Sequence, residues 1–332
     1  MSYEVVSLFS GVGGFDLGFE QAGFNIKWAN DKDKYAVQTY KANIGSQIVE
    51  GDINDLLSSI PSHDVLIGGF PCQPFSVLGK QEGFEDERGT LFFTLKEILK
   101  THKTKVVVLE NVKNLMHHDK GATLKRIISE LEGIGYKCSY EVLNSMDYGI
   151  PQRRTRIFIV GLLKESFSED VEFKFPAKKP LTTTTQDLLD VNVDAKYFLT
   201  HKISKYILSA GTKGYISKPT IDLAISKTLT ASMHKMHRAN IDNYVTDEES
   251  FKQFVDENRI SLRKLTPNEC RKLQGFPETW KQVVSNVQAY KQFGNAVTVN
   301  VAHAVGLEVM AVMKDKMNRP ASVQGLLEAN GN

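Results

Sequence analysis

Short apolar, β-branched runs alternate with amphipathic stretches through the first 165 residues, the pattern of βαβ units around a mostly parallel sheet. The apolar runs predict strands at 4–9, 26–30, 48–51, 64–68, 105–110, 138–143 and 156–162, and helical spacing predicts helices near 14–22, 33–42, 90–100 and 121–133. In such an open α/β sheet the ligand crevice lies beyond the carboxyl ends of the strands, and each candidate residue below is expected at or just past such an end. After Phe175-Pro176 the rhythm gives way to a threonine run, Thr182 to Thr185, and few alternations follow. This predicts a second, smaller domain over 177–285. Apolar residues at Ala296, Val297, Val299, Val301, Ala302, Val305 and Val309 predict a helix over 295–313 that returns to the first domain, so 1–176 and 286–332 are expected to fold together.

Composition narrows the class. With 332 residues, 41% of them hydrophobic and 24% charged, the chain can bury a substantial core. Fully apolar runs such as Val106 to Leu109 fall far short of the roughly 20 residues that a membrane helix needs. A soluble, non-secreted chain is expected. Cys72, Cys138 and Cys270 are widely spaced and form no C-x-x-C pair, which argues against a disulfide framework and a metal site and favours a reducing, cytoplasmic setting. The net charge is +2, yet residues 196–240 hold eight cationic residues against the single acid Asp222. That window suits a polyanion, or equally a solvated lysine-rich surface.

Two groups of residues suggest chemistry. Ser10-Gly11-Val12-Gly13-Gly14-Phe15-Asp16 follows the first strand and opens the first helix, where glycines permit a tight turn and close ligand approach. It is not G-x-G-x-x-G. Asp31 stands 20 residues after Gly11, placed to hold ribose hydroxyls, and Asp52 adds a second carboxylate suited to an exocyclic amine. Two acids and no nearby phosphate-binding lysine favour an uncharged nucleoside with a sulfonium or amino-acid tail over a pyrophosphate. The second group begins at Cys72, on a strand-end turn bracketed by Pro71 and Pro74. Glu110 ends an apolar strand and must find a partner or ligand there, while Arg154 and Arg156, at alternate positions, should point to one face.

These residues carry a resemblance to bacterial DNA (cytosine-5)-methyltransferases of the kind paired with restriction enzymes. It runs in order through Phe9 to Gly14, Gly51-Asp52-Ile53, Phe70 to Ser76, Arg88 to Phe93, Glu110-Asn111-Val112, Gln152 to Arg156, Arg263 to Pro277 and Gln292 to Val297. The resemblance implies a Rossmann-like methyltransferase domain, with 177–285 as a target-recognition domain. It implies S-adenosylmethionine as donor and S-adenosylhomocysteine as product, with Phe9, Gly11, Gly13 and Gly14 around the methionine and adenosine parts. Asp31 would then face the ribose and Asp52 with Ile53 the adenine; Pro71, Leu91, Asn295 and Val297 would complete the pocket. Lys32 stands where the family often has an aromatic residue stacked on adenine.

The implied chemistry assigns each catalytic group a task. Cys72 adds to carbon 6 of a flipped-out cytosine, because carbon 5 is otherwise a poor nucleophile. Glu110 binds the ring nitrogen and amino group, Arg156 contacts the ring carbonyl, and Arg154 with Arg156 raises the thiolate fraction of Cys72. Residues 77–87 resemble the family's mobile loop, and Ser76, Leu78 and Lys80 are expected against DNA, Leu78 as a wedge or as simple loop packing. In the basic window Thr228 and Thr230 resemble an element near the DNA backbone, and Lys235 and Arg238 are candidate base readers. Double-stranded DNA is the expected partner of a monomer, with a cognate endonuclease acting separately and no membrane. Two rivals remain: an RNA cytosine methyltransferase, whose branch carries a Cys-Phe-Thr tripeptide absent here, and a non-catalytic binder, which would have no need of Cys72, Glu110 and Arg156 together.

Overall fold

A computed structural model describes residues 2–70, 91–209, 211–212, 215–216, 219–235, 237–254 and 256–316. The first half of the chain runs β1 (Glu4–Leu8), α1 (Gly14–Gln21), β2 (Asn25–Asp31), α2 (Lys34–Asn43), β3 (Ile48–Glu50), β4 (Val65–Gly68), α3 (Leu91–His102), β5 (Val106–Val112), α4 (Ala122–Gly133), β6 (Tyr136–Asn144), β7 (Gln152–Arg153) and β8 (Thr155–Leu163). Seven of these strands form one sheet in the order β3-β2-β1-β4-β5-β8-β6. β1 to β5 are mutually parallel, whereas β8 runs antiparallel to both of its neighbours. The fold is thus α/β with a mostly parallel sheet. The reversal of β8 corrects one expectation: Arg154 and Arg156 lie at the amino end of a strand, and antiparallel pairing brings that end to the same sheet edge as the carboxyl ends of the others.

The central strands carry continuous apolar runs because both faces are covered. Val5, Ile67, Val106 and Val108 face one side and pack with Phe15 and Phe19 of α1 and Val301, Ala302, Val305 and Val309 of the last helix. Val6, Leu66, Val107 and Leu109, their alternating neighbours, face the other side and pack with Leu95 and Ile98 of α3 and Ile127 and Leu131 of α4.

Downstream come β9 (Phe198–Thr200), α5 (His201–Leu208), β10 (Gly211–Thr212), β11 (Tyr215–Ile216), β12 (Ser226–Lys227), β13 (Tyr244–Thr246), α6 (Glu248–Phe251), β14 (Arg259–Lys264), α7 (Pro267–Lys272), α8 (Asn286–Asn295) and α9 (Val299–Lys316). β13, β14 and β9 form a small antiparallel sheet. Beside it the fully buried Arg263 pairs with Asp247 at 2.7 Å and Glu269 at 2.8 Å. β12 pairs with β7, and the side chain of Gln152 accepts from Leu229 N and donates to Leu273 O, joining this region to the main sheet. An apolar cluster of Leu265, Leu273, Phe276, Trp280 and Phe293 with Ala36 of α2 runs across position 285.

The helix expected over 295–313 is α9, which starts only at Val299. α8 ends at Asn295, and α9 begins at Val299 after an extended break at Ala296. The stretch through α9 is apolar enough by composition to cross a bilayer, but its apolar face is buried against α1, as in a core helix.

Candidate active site

The turn after β1 is held in an uncommon shape. Phe9, Gly11 and Gly13 all have positive φ, at 55°, 57° and 86°. For Phe9 that left-handed backbone costs on the order of 1 kcal/mol or more, so surrounding bonds must enforce it. They do: Ser10 N donates to Asn30 O at 2.9 Å, Gly13 N to Ser10 O at 2.8 Å, and Gly11 N to the Asp31 carboxylate at 2.8 Å. The other Asp31 oxygen accepts from Asp33 N, so this carboxylate joins the turn to the start of α2. Burial raises its pKa, opposed by those two N–H donors.

Beyond this turn lies a cavity of about 450 Å³ at the carboxyl edge of the sheet, a volume ordinary for a small-molecule site. Phe9, Gly11, Asp31, Asp52, Ile53, Leu91, Asn295 and Val297 all line it. Asp52 accepts from the backbone and side-chain nitrogens of Asn54, which fixes its carboxylate. Lys32 is exposed at the rim, and next to it Asp33 pairs with Lys291 of α8 at 2.6 Å.

Gly13 and Gly14 are not in the lining, contrary to expectation. A Cβ on Gly14 would overlap the carbonyl oxygen of Val297, and one on Gly13 would crowd Ile44 and the ring of Tyr40. Their role is close approach: the turn presses against the α8–α9 break and α2, which brings Asn295 and Val297 to the cavity.

The other end of the same cavity holds Glu110, Asn111, Arg154 and Arg156. Glu110 is 8% exposed, and its Oε1 stands 3.0 Å from Arg156 Nε. Burial raises the Glu110 pKa, while the nearby Arg156 and Arg154 charges oppose that rise. Asn111 Nδ2 donates to Phe70 O at 2.9 Å, tying β5 to the chain just after β4. Pro71, Cys72, Ser76, Leu78, Lys80 and the 77–87 segment lie outside the described residues.

Arg154 reaches the cavity but is occupied elsewhere. Its guanidinium donates to the carbonyls of Leu229, Gly294 and Ala296 at 2.9, 3.1 and 2.8 Å. Burial pushes its pKa down to about 9, with Arg156 adding to the effect, so it remains cationic at neutral pH. The expected DNA contacts differ among themselves. Lys235 is exposed; Thr228 donates to Arg153 O. Arg238 is bound internally, paired with Asp242 at 2.6 Å and donating to Thr230 and Ser232, so its fork holds the 230–242 segment together.

The sequence motifs assigned no role to Ser7, Ser10, Asn30, Lys291 and Gln292, all of which line the cavity. The serines flank a motif that was read for its glycines alone, and Lys291 and Gln292 belong to a helix not foreseen. Of the two described cysteines, Cys138 is half-buried with its pKa pushed up to about 12, and Cys270 is fully buried, which also pushes its thiol pKa well up; both are free. Among the described residues no cluster of His, Cys, Asp and Glu could hold a metal ion.

Comparison with known proteins matches residues 3–311 to the family model of the C-5 cytosine-specific DNA methylase. Among curated relatives, the Type II methyltransferase M.NlaX of Neisseria lactamica is 39% identical over 96% of this chain and 99% of that protein. M1.ScrFI of Lactococcus lactis subsp. cremoris, also a Type II methyltransferase, is 38% identical over 94% of this chain and 79% of its own length. Among solved structures, a mutant DNMT2 of Spodoptera frugiperda superimposes with a TM-score of 0.72 at 20% identity, covering 95% of this chain and all of the other. At that identity the likeness speaks for the fold.

Proposed function

The chain belongs to the C-5 cytosine-specific DNA methylase family, and from that membership we propose how its residues carry a methyl group to carbon 5 of a cytosine in duplex DNA. It is an S-adenosylmethionine-dependent DNA (cytosine-5)-methyltransferase. The observation that supports the reading below is that one cavity has Asp31 and Asp52 at one end and the buried Glu110–Arg156 pair at the other.

The cavity suits the methyl donor. Its volume matches a nucleoside with an amino-acid tail, Phe9, Ile53, Leu91 and Val297 supply apolar walls, and carboxylates favour a cationic ligand with hydroxyl and amine donors. When bound there, S-adenosylmethionine supplies an electrophilic methyl group. Asp31 holds the ribose hydroxyls, Asp52 and Ile53 the adenine, and Pro71 and Asn295 complete the enclosure. Gly13 and Gly14 shape the turn without touching the ligand.

The protein's own residues prepare the cytosine. The base leaves the duplex at a cost of a few kcal/mol, because neither face of carbon 6 is reachable inside the stack. The Cys72 thiolate then adds to carbon 6, which makes carbon 5 nucleophilic; once carbon 5 is methylated, its proton departs and Cys72 is expelled. Glu110 binds the ring nitrogen and amino group, and Arg156, held against Glu110, contacts the ring carbonyl. Arg154 acts through position, fastening the α8–α9 break and the Leu229 segment to the floor of the site. Residues 177–285 form the target-recognition domain, with Ser76, Leu78, Lys80, Thr228, Thr230 and Lys235 toward DNA and Arg238 ordering the recognition segment. The enzyme works as a cytoplasmic monomer that marks host DNA against a separate endonuclease.

Covalent trapping tests this reading. Duplex DNA carrying 5-fluorocytosine cannot lose a proton from carbon 5, so wild type with methyl donor should form a denaturation-resistant adduct and Cys72→Ser should form none. An adduct in Cys72→Ser, or its absence in wild type on DNA that wild type methylates, would overturn the mechanism.

A further inference from the structure

One arginine beside the active site takes no part in the chemistry above. Among the described residues every other arginine is committed: Arg126, Arg156, Arg238, Arg259 and Arg263 pair with carboxylates, and Arg154 and Arg271 donate to carbonyl oxygens. Arg153 is exposed, and among these residues its guanidinium has neither an acid nor an acceptor. Its backbone, by contrast, is held firmly. Arg153 is the apex of a three-residue turn closed by Arg154 N donating to Gln152 O at 2.9 Å. Both neighbours are buried, Gln152 bonded to Leu229 and Leu273 and Arg154 to its three carbonyls, and the Arg153 carbonyl accepts Thr228 Oγ–H at 2.5 Å.

An unpaired arginine on a surface is ordinarily just solvated. Three features here point to an anion instead. The turn presents the side chain outward from a fixed point, because the residues on either side of it are anchored inward. Arg153 also stands immediately outside the cavity, whose lining includes Arg154 and Arg156 but not Arg153 itself. Finally, Thr228 beside it has spent its single hydroxyl proton on the Arg153 carbonyl and offers only lone pairs outward. A phosphate arriving at this spot finds its donor in Arg153.

The extruded base says which phosphate. With the cytosine inside the cavity against Glu110 and Arg156, and its neighbours still stacked in the duplex, the sugar and phosphates that join them must cross the mouth. We infer that Arg153 binds a backbone phosphate next to the target cytidine with its forked guanidinium, and so holds that strand while the base is out. This inference rests on the function proposed above. A phosphate contact carries no sequence information, which suits a residue of the catalytic sheet rather than of the basic window, and it places one DNA contact within three residues of the Arg156 that faces the base.

Neutralising single phosphates tests the assignment. A duplex that wild type methylates is made with one uncharged methylphosphonate at each phosphate near the target cytosine in turn, and its affinity is measured by fluorescence anisotropy with S-adenosylhomocysteine present. Wild type should lose about tenfold or more at one of these positions, the size of a hydrogen bond to a charged group. Arg153→Gln should bind the unmodified duplex weaker by a similar factor and lose less than about threefold further at that same position. Its plot of log affinity against log salt should be shallower by about 0.9, while Arg153→Lys keeps the wild-type slope. An unchanged slope in folded Arg153→Gln, or the same methylphosphonate loss as wild type at every position, overturns the inference. So does a relaxed preference at one base pair with the slope kept, which would make Arg153 a base reader. Wild type that methylates no duplex refutes instead the function on which the inference rests.

Discussion

Replacing Glu110 by Gln keeps the shape of the side chain and removes its charge. At 3.0 Å from Arg156, with an effective dielectric near 20, the pair attracts by about 5 kcal/mol. Most of that offsets the cost of taking both groups out of water. Breaking such a pair with the cation left behind typically costs about 3 to 5 kcal/mol, and because Gln retains an acceptor oxygen the lower part of that range, about 3 kcal/mol, is expected in folding. The chemical step should suffer separately: an amide cannot hold the ring nitrogen in its protonated form, and loss of such a group slows reactions by about 10² to 10⁴. Urea unfolding gives the first number, and single-turnover transfer of a tritiated methyl group to duplex DNA gives the second. A folded Glu110→Gln enzyme working within tenfold of the wild-type rate would show that this carboxylate does not touch the base.

Three further outcomes follow from the geometry. Arg154→Met leaves three buried carbonyls without their donor, and even after relief from burying a guanidinium it should lose about 2 to 4 kcal/mol in urea unfolding; a loss below about 0.5 kcal/mol refutes the fastening role. Gly14→Ala places a methyl group on the Val297 carbonyl, so S-adenosylhomocysteine affinity should fall at least about tenfold, and unchanged affinity contradicts the close approach. Full burial lifts the carboxyl of Asp16, in the first turn of α1, from 3.8 to about 7, a penalty of up to about 4 kcal/mol. Its sign is definite: the folded state holds the proton more tightly, so the stabilising share is complete below pH 3.8 and is lost as pH rises through about 7. Asp16→Asn should thus be more stable than wild type at pH 8 and lose that advantage toward pH 4, whereas parallel stability profiles would be incompatible with the lifted carboxyl.

Much of the fold was legible because a strand covered on both faces carries a continuous apolar run, and Val65–Gly68 and the Val106 to Leu109 part of β5 advertise this directly. One end of the cavity was legible for a related reason: a strand that opens onto a crevice turns polar where its apolar run stops, as β2 does at Asp31. What escaped depended on contacts distant in sequence. Nothing local to Arg154 announces that its acceptors are Leu229, Gly294 and Ala296. The α8–α9 break was hidden because Ala296, Val297 and Val299 continue an apolar pattern through a segment that turns extended to approach Gly14. Arg238 read as a free donor until Asp242, four residues on, was found to claim it.

The central claim is that this chain places a methyl group on carbon 5 of cytosine. Purified protein, isotopically labelled S-adenosylmethionine and a duplex library covering all short sequences, followed by enzymatic digestion and mass spectrometry of the nucleosides, tests it directly. Labelled 5-methyldeoxycytidine should appear with wild type and vanish with Cys72→Ser. Label in N4-methyldeoxycytidine or N6-methyldeoxyadenosine, or no labelled nucleoside at all, would contradict the account.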